Sequence, residues 1–326
     1  MNTTNLTYNN IVIKKNIHKL DNENELVFKK FQDIKVSTKT FIAVSNIEIN
    51  ILQFFNVLPI TKYSTIPKRR GRKRKNDIVN KPTELESGSI ITLEFGEKLR
   101  GVDLKKKHDK KKAGEVQKYF RNSVTVVMII EGKKINFKVS NNGKFQMTGC
   151  KYFEHAKQCI GYIWKYIKDF NNVYKISSEK FEVLFIPAMR NIDFSLGFIV
   201  DREKLDEYFN KHTRYNSLLE TSFGYTGVNI KLPLTKSIED LGVKKLIYND
   251  NGWGDVIEVT YKYYLDKLNI KEREKKLKQK RYITFLVFHS GKVILSGLSY
   301  EFCEQVYYDF LNIIQQSHNK IKENLD

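Results

Sequence analysis

Cysteine is scarce in this chain: three in 326 residues. Three thiols cannot lace a disulfide framework, so a packed core in a reducing compartment has to hold the fold. Long apolar runs are missing too. No stretch approaches the ~18–20 apolar residues that a membrane span needs, and Met1–Asn5 opens no apolar leader. There is no GxxxxGK[ST] phosphate loop and no GxSxG nucleophile elbow. What is present is 41% hydrophobic and 13% aromatic residues, enough to exclude wholesale disorder. The length suits two domains, or one with large insertions. A net charge of +20 makes a polyanion the first candidate partner without saying which one, and with no apolar span no membrane is expected.

That charge is concentrated. Residues 68–75 (KRRGRKRK) carry +7, residues 105–112 (KKKHDKKK) +5 and residues 271–281 (KEREKKLKQKR) +5, which leaves +3 for the rest. Dense like-charge runs are solvated. They serve as solubilising loops, as a nuclear-import signal or as a non-specific grip on phosphates. The first run, with Lys68, Arg69, Arg70, Arg72, Lys73, Arg74 and Lys75, also resembles an AT-hook. There Arg-Gly-Arg would lie in a narrow A·T minor groove. The second proline of such hooks is replaced by Lys73.

The strongest signal is an internal repeat. Asn142-Gly143-Lys144-Phe145-Gln146-Met147-Thr148-Gly149 matches Ser290-Gly291-Lys292-Val293-Ile294-Leu295-Ser296-Gly297. Each follows an alternating run (Ile135–Val139; Ile283–Phe288) and precedes a helical pattern. Ala156, Ile160, Ile163 and Ile167 mark the first helix, and Cys303, Val306, Phe310 and Ile313 the second. Upstream, Ala43–Glu48 echoes Ala188–Asp193. The order strand, helix, several strands with a Gly-Lys hairpin, long helix thus occurs twice. Two such halves predict an α+β fold with one continuous antiparallel sheet and helices on a single face. Alternation would leave Phe137, Val139, Leu286 and Phe288 on the uncovered face, and an exposed apolar face marks an interaction surface.

These residues resemble the TATA-binding-protein family, whose halves each end in a hydrophobic strand, Ser-Gly-Lys, three residues, Thr-Gly and a helix. Residues 283–297 (ITFLVFHSGKVILSG) carry the closest match and residues 135–149 a looser one. The resemblance implies a two-repeat saddle with helices on its convex face and large insertions. It also implies binding of double-stranded, A·T-rich promoter DNA through the minor groove, with bending. The convex face would recruit a transcription factor IIB-like protein and RNA polymerase. Long insertions and Lys/Asn/Ile/Tyr richness suit a divergent member like those of large DNA viruses. Its location would be the nucleus, or a cytoplasmic viral factory or virion. No enzymatic activity, cofactor or metal is implied.

By that resemblance, wedge phenylalanines fall on Phe120, Phe223 and Phe288, with the fourth position at Val139 and Phe137 two residues before it. An extra residue in Ser140–Gly143 would account for that blur. Apolar floor positions fall on Ile42, Leu286 and Ile294, and hydroxyl positions on Thr148 and Ser296. Lys144 and Lys292 flank the hairpins. The sequence departs from the family at Gln146, where an apolar floor residue is expected. It departs again near Thr40 and Phe185–Ala188, where central asparagines are expected. Those departures bear on strict TATA preference.

The expected organisation is a polar extension over 1–36, a first repeat over 37–175 with a basic insertion at 61–118, and a second repeat over 176–326 with an insertion at 233–281. Cys150, His155 and Cys159 lie close in sequence but lack a fourth ligand for zinc. No set of acids converges as a two-metal nuclease needs. Two rivals stay open: an architectural or packaging protein without promoter selectivity, and the substrate-binding part of a DNA-processing enzyme.

Overall fold

The computed structural model describes residues 26–63, 84–104, 122–219, 227–234, 236–250 and 252–323. The alternating runs form strands and the 3.6-period runs form helices. The first half comprises β1 (Val36–Ser45), β2 (Ile47–Ile49), α1 (Ile51–Val57), β3 (Ile90–Phe95), β4 (Lys98–Gly101), β5 (Ser123–Ile130), β6 (Lys133–Ser140), β7 (Lys144–Cys150) and α2 (Phe153–Ile167). The second half opens with β8 (Tyr174–Ile176), β9 (Phe181–Ser195), α3 (Arg202–His212), β10 (Asn216–Leu219) and β11 (Gly227–Pro233). A further unit follows: β12 (Gly242–Asn249), β13 (Gly252–Trp253), β14 (Ile257–Thr260), α4 (Tyr261–Leu265) and α5 (Ile270–Lys278). The chain closes with β15 (Tyr282–Phe288), β16 (Lys292–Gly297) and α6 (Tyr300–Ile321).

The main sheet is antiparallel and runs β10-β11-β15-β16-β9-β1-β7-β6-β5-β3-β4. Strands β9 and β1 meet at its centre, and outward from them the two halves repeat the same order. The expected α+β, two-repeat saddle with one continuous sheet is therefore the fold of the chain.

The equivalence extends to single hydrogen bonds. Asn50 caps α1 by accepting from the Gln53 backbone N–H, and Asp201, 151 residues later, caps α3 by accepting from Lys204. Such caps are worth about 1 kcal/mol each. The Ser45 N–H donates to Gly143 O and the Leu196 N–H to Gly291 O, again 151 apart in their donors. At the centre, Thr40 faces Met189 while Thr38 faces Asn191, and Phe41 faces Pro187 while Val36 faces Ile192. Adding 151 to Thr40 or Phe41, or subtracting it from Met189 or Pro187, turns one pair into the other, as a pseudo-two-fold axis requires. The echo between Ala43–Glu48 and Ala188–Asp193 is a correction. Its spacing of 145 pairs the end of β1 with the middle of β9, because short strand segments resemble one another wherever they lie.

One face of the sheet carries both main cores. In the first half Phe41, Ala43, Phe137, Val139, Phe145 and Met147 pack with Phe54 of α1 and with Cys159, Ile160 and Ile163 of α2. In the second, Ile230, Phe285, Val287, Val293 and Leu295 pack with Phe209 of α3 and with Tyr307, Phe310 and Ile314 of α6. Full burial of such side chains stabilises by roughly 1.5–3 kcal/mol each. The stretch before β1 joins this second core: Phe31 is buried, and Tyr307 donates its hydroxyl to Lys29 O at 2.7 Å.

The unit between β11 and β15 attaches to both faces. Strand β12 adds to β9 alongside Phe181–Phe185. Trp253 lies against the helix side, donating Nε1–H to Lys157 O at 3.2 Å. On the opposite face, Tyr261, Tyr264 and Leu265 of α4, with Ile238 and Leu241, cover Leu184 and Ile186.

Candidate nucleic-acid interface

The face of the sheet opposite α1, α2, α3 and α6 is the candidate site, and alternation decides what it displays. In β15, Ile283, Phe285 and Val287 are buried, so Thr284, Leu286 and Phe288 point the other way and stay partly exposed. In β16, Val293, Leu295 and Gly297 are buried while Ile294 and Ser296 are partly exposed, with Lys292 exposed. Leu286 pairs with Ile294 and Thr284 with Ser296, so these four form one contiguous floor. Gly227 of β11 sits opposite Phe288. A Cβ there would meet Leu286 Cδ1 at 2.7 Å, so the missing side chain makes room for the floor leucine.

Both hairpins turn on glycine. Gly143 has φ +68 and Gly291 φ +74, and an added Cβ would lie 2.2 Å from Ile47 O or 2.1 Å from Phe198 O. The two hairpins have the same length, so no extra residue separates them. Val139 pairs with Phe145 as Val287 pairs with Val293. This overturns the expectation for Phe137 and Val139, which are 1% and 0% exposed and belong to the core under α2. The residue in the place of Phe288 is Ser140, in that of Leu286 Lys138, and in that of Ile294 Gln146. Thr148 corresponds to Ser296 and is exposed, its hydroxyl donating to Asn136 O at 3.1 Å.

Ile42 of β1 lies on the open face, opposite Ile186. Thr40 lines a separate cavity of about 480 Å³ with Phe153, Phe185 and Tyr300, at the starts of α2 and α6. Its repeat counterpart is Asn191, half-buried in β9, whose Oδ1 accepts from Ser296 Oγ at 2.8 Å. Sequence comparison placed the second central position in Phe185–Ala188. The 151-residue spacing of the two helix caps would have pointed to Asn191 instead. Phe120, Phe223 and the tract with Lys68, Arg69, Arg70, Arg72, Lys73, Arg74 and Lys75 lie outside the described residues, as does the 105–112 tract.

Two parts of the open face are covered. At the centre Leu184 and Ile186 are only 5% and 6% exposed beneath α4. At the outer edge of the first half Val127 and Ile129 pack with Ile91 and with Tyr63, Leu85 and Leu104. Both covers come from insertions.

The thiols serve packing. Burial pushes the Cys150 and Cys303 thiols up to about 11 and that of Cys159 well above the usual thiol value. His155 Nδ1 accepts from the Lys151 N–H at 3.3 Å, and its Nε2 lies 3.5 Å from Glu131. Among the described residues no group of three or more His, Cys, Asp or Glu is placed to hold a metal ion. Among them, too, no helix is long and apolar enough to cross a membrane.

A twice-repeated strand–helix–sheet–helix unit, joined into one sheet at β1 and β9, is the architecture that the resemblance to the TATA-binding-protein family implied. No protein-family model matches the chain. It is 24% identical to the TATA-box-binding protein-like protein of Acanthamoeba polyphaga mimivirus over 323 residues, 92% of this chain and 74% of that one. It is also 24% identical to uncharacterized protein 335L of Invertebrate iridescent virus 6 over 299 residues, 87% of this chain and 84% of that one. Among solved structures, Methanococcus jannaschii TBP aligns with 87% of this chain and 98% of its own at 13% identity, with a TM-score of 0.42. Over most of its length, then, the chain is similar to a TATA-box-binding protein-like protein of a large DNA virus, and its strand order has the two-repeat form that the sequence resemblance implied.

Proposed function

We propose that this protein is a DNA-binding general transcription initiation factor, not an enzyme. It engages double-stranded, A·T-rich promoter DNA through the minor groove with the open face of its sheet. The observation that carries the reading is the partly exposed floor of Thr284, Leu286, Phe288 and Ile294 on the face opposite the helices. A·T pairs lack the guanine amino group in the minor groove, so a flat apolar and hydroxyl-bearing surface can lie there. Phe288, at the end of β15, acts as a wedge between base steps. Unstacking costs a few kcal/mol per step, which the surface covered by the bent duplex offsets. The lysine tracts add salt-sensitive phosphate contacts. The helix-covered face is left for a transcription factor IIB-like protein and RNA polymerase. Action in the nucleus, or in a viral factory or virion, goes with that role.

The polar first half favours a second reading, an architectural protein that bends DNA with little sequence selectivity. Binding-site selection from a random duplex pool, followed by a bending assay, decides. An A·T-rich motif bent by the wild type and left straight by Phe288→Ala supports the initiation factor. Bending without a motif favours the architectural role, and an equally bent duplex with Phe288→Ala refutes the wedge.

A further inference from the structure

The third basic tract does not project into solvent away from the sheet. It forms α5, in which no residue is buried, and the turn Gln279–Arg281 that leads into β15. Beneath it lies a cavity of about 450 Å³ whose floor includes Ile42, Ile186, Thr284 and Ser296 and whose roof includes Lys276 and Arg281. The tract therefore spans the middle of the open face, next to the side chains expected to meet DNA. Helix α4, just before it, is packed: Tyr261, Tyr264 and Leu265 are all buried. Helix α5 is held differently. Asn269 caps it by accepting from the Glu272 N–H at 2.9 Å. Arg273 reaches Asp266 at 3.0 Å and Glu239 at 3.9 Å, and all three side chains are at least a third exposed. Exposed pairs of this kind contribute little.

Its charge setting is unfavourable. The Lys276 ammonium is held below the usual lysine value, first by burial and then by Lys144 on β7, Arg281 and Lys275, with only Glu272 opposing. A cation half-sunk over an apolar floor and facing other cations gains from an arriving polyanion.

We propose that α5 and Gln279–Arg281 form a strap that masks the centre of the open face in the free protein and that duplex DNA lifts away. The freed cations then line the phosphates while α4 stays in place. This rests on the reading that the open face binds DNA. It adds that the groove is closed by the chain itself, so association is limited by strap opening.

The test uses the full chain and a fluorescein-labelled A·T-rich duplex. Glu239→Gln with Asp266→Asn removes the partners of Arg273 and keeps every cation. Glu203→Gln with Glu207→Gln removes the same charge from α3 on the helix-covered face. The first variant is expected to associate about threefold faster than the second, the scale of losing weak exposed pairs. Equal rates overturn the strap. Backbone hydrogen exchange over 270–281 supplies the second readout. Faster exchange there on duplex binding supports lifting, whereas tight binding with unchanged or slower exchange overturns the strap and leaves the DNA reading intact. If none of the three proteins binds duplex, the DNA reading fails and the strap fails with it.

Discussion

The two halves share a backbone plan and differ in what they show to solvent. Where the second half presents Leu286, Phe288 and Ile294 on the open face, the first presents Lys138, Ser140 and Gln146 at the matching places in β6 and β7. The buried faces of the same strands are apolar in both: Phe137, Val139, Phe145 and Met147 against Phe285, Val287, Val293 and Leu295. Packing under the helices constrains one side of β6, β7, β15 and β16 and leaves Lys138, Ser140, Gln146, Leu286, Phe288 and Ile294 outside both main cores. The open side is therefore where function is written. The proposed function accordingly gives apolar reading to the second half and polar or charged contact to the first.

That comparison can be broken by placing the same change in each half. The largest effect is expected from a buried charge at the matched floor positions. Ile294→Asp should weaken duplex binding on the order of 100-fold, since it puts an unpaired carboxylate against the floor and the groove edge. Gln146→Asp should cost about tenfold or less, since that place is already exposed and polar. Equal losses in a fluorescence titration would remove the distinction between the halves.

The next effect tests what the halves share. Gly143→Ala and Gly291→Ala each force a residue with a Cβ into the left-handed region and onto a backbone carbonyl oxygen. Each should cost at least about 1–2 kcal/mol in urea unfolding, by similar amounts, because the turns are equivalent. A loss at only one of them would break the pseudo-symmetry.

A smaller effect sharpens the role of the first half. Lys138→Ala should lower the magnitude of the log Kd against log salt slope by about 0.9 and leave the selected motif unchanged. A changed motif would mean that the first half reads bases.

Much of the fold was legible because glycine in a left-handed turn and period-2 alternation are local demands. The two Gly-Lys turns announced the repeat, and Ala156, Ile160, Ile163 and Ile167 all lie on the buried face of α2 as their spacing requires. The open face was legible in the second half and misread in the first. There the resemblance sets a wedge position at Val139, with Phe137 two residues before it, whereas in a strand covered on one side the apolar residues belong to the covered side. A shift of one residue exchanges the two faces completely. Nothing local signalled that α4 would cover Leu184 and Ile186, because those contacts join residues far apart in the chain. Asn191 takes its central place from the pairing of β9 with both β1 and β16, a place that the 151-residue spacing of the helix caps also gives.

On the proposed function, sequence-selective contact is made by the second half. The most direct test is to titrate one A·T-rich duplex with Phe288→Ala and with Ser140→Ala at matched salt, reading affinity and end-to-end distance together. Binding at least tenfold weaker and loss of bending are expected for Phe288→Ala, with less than about a twofold change for Ser140→Ala, since only Phe288 would drive an unstacking that costs a few kcal/mol per step. Equal behaviour of the two variants, or an undiminished bend with Phe288→Ala, would contradict the proposed function.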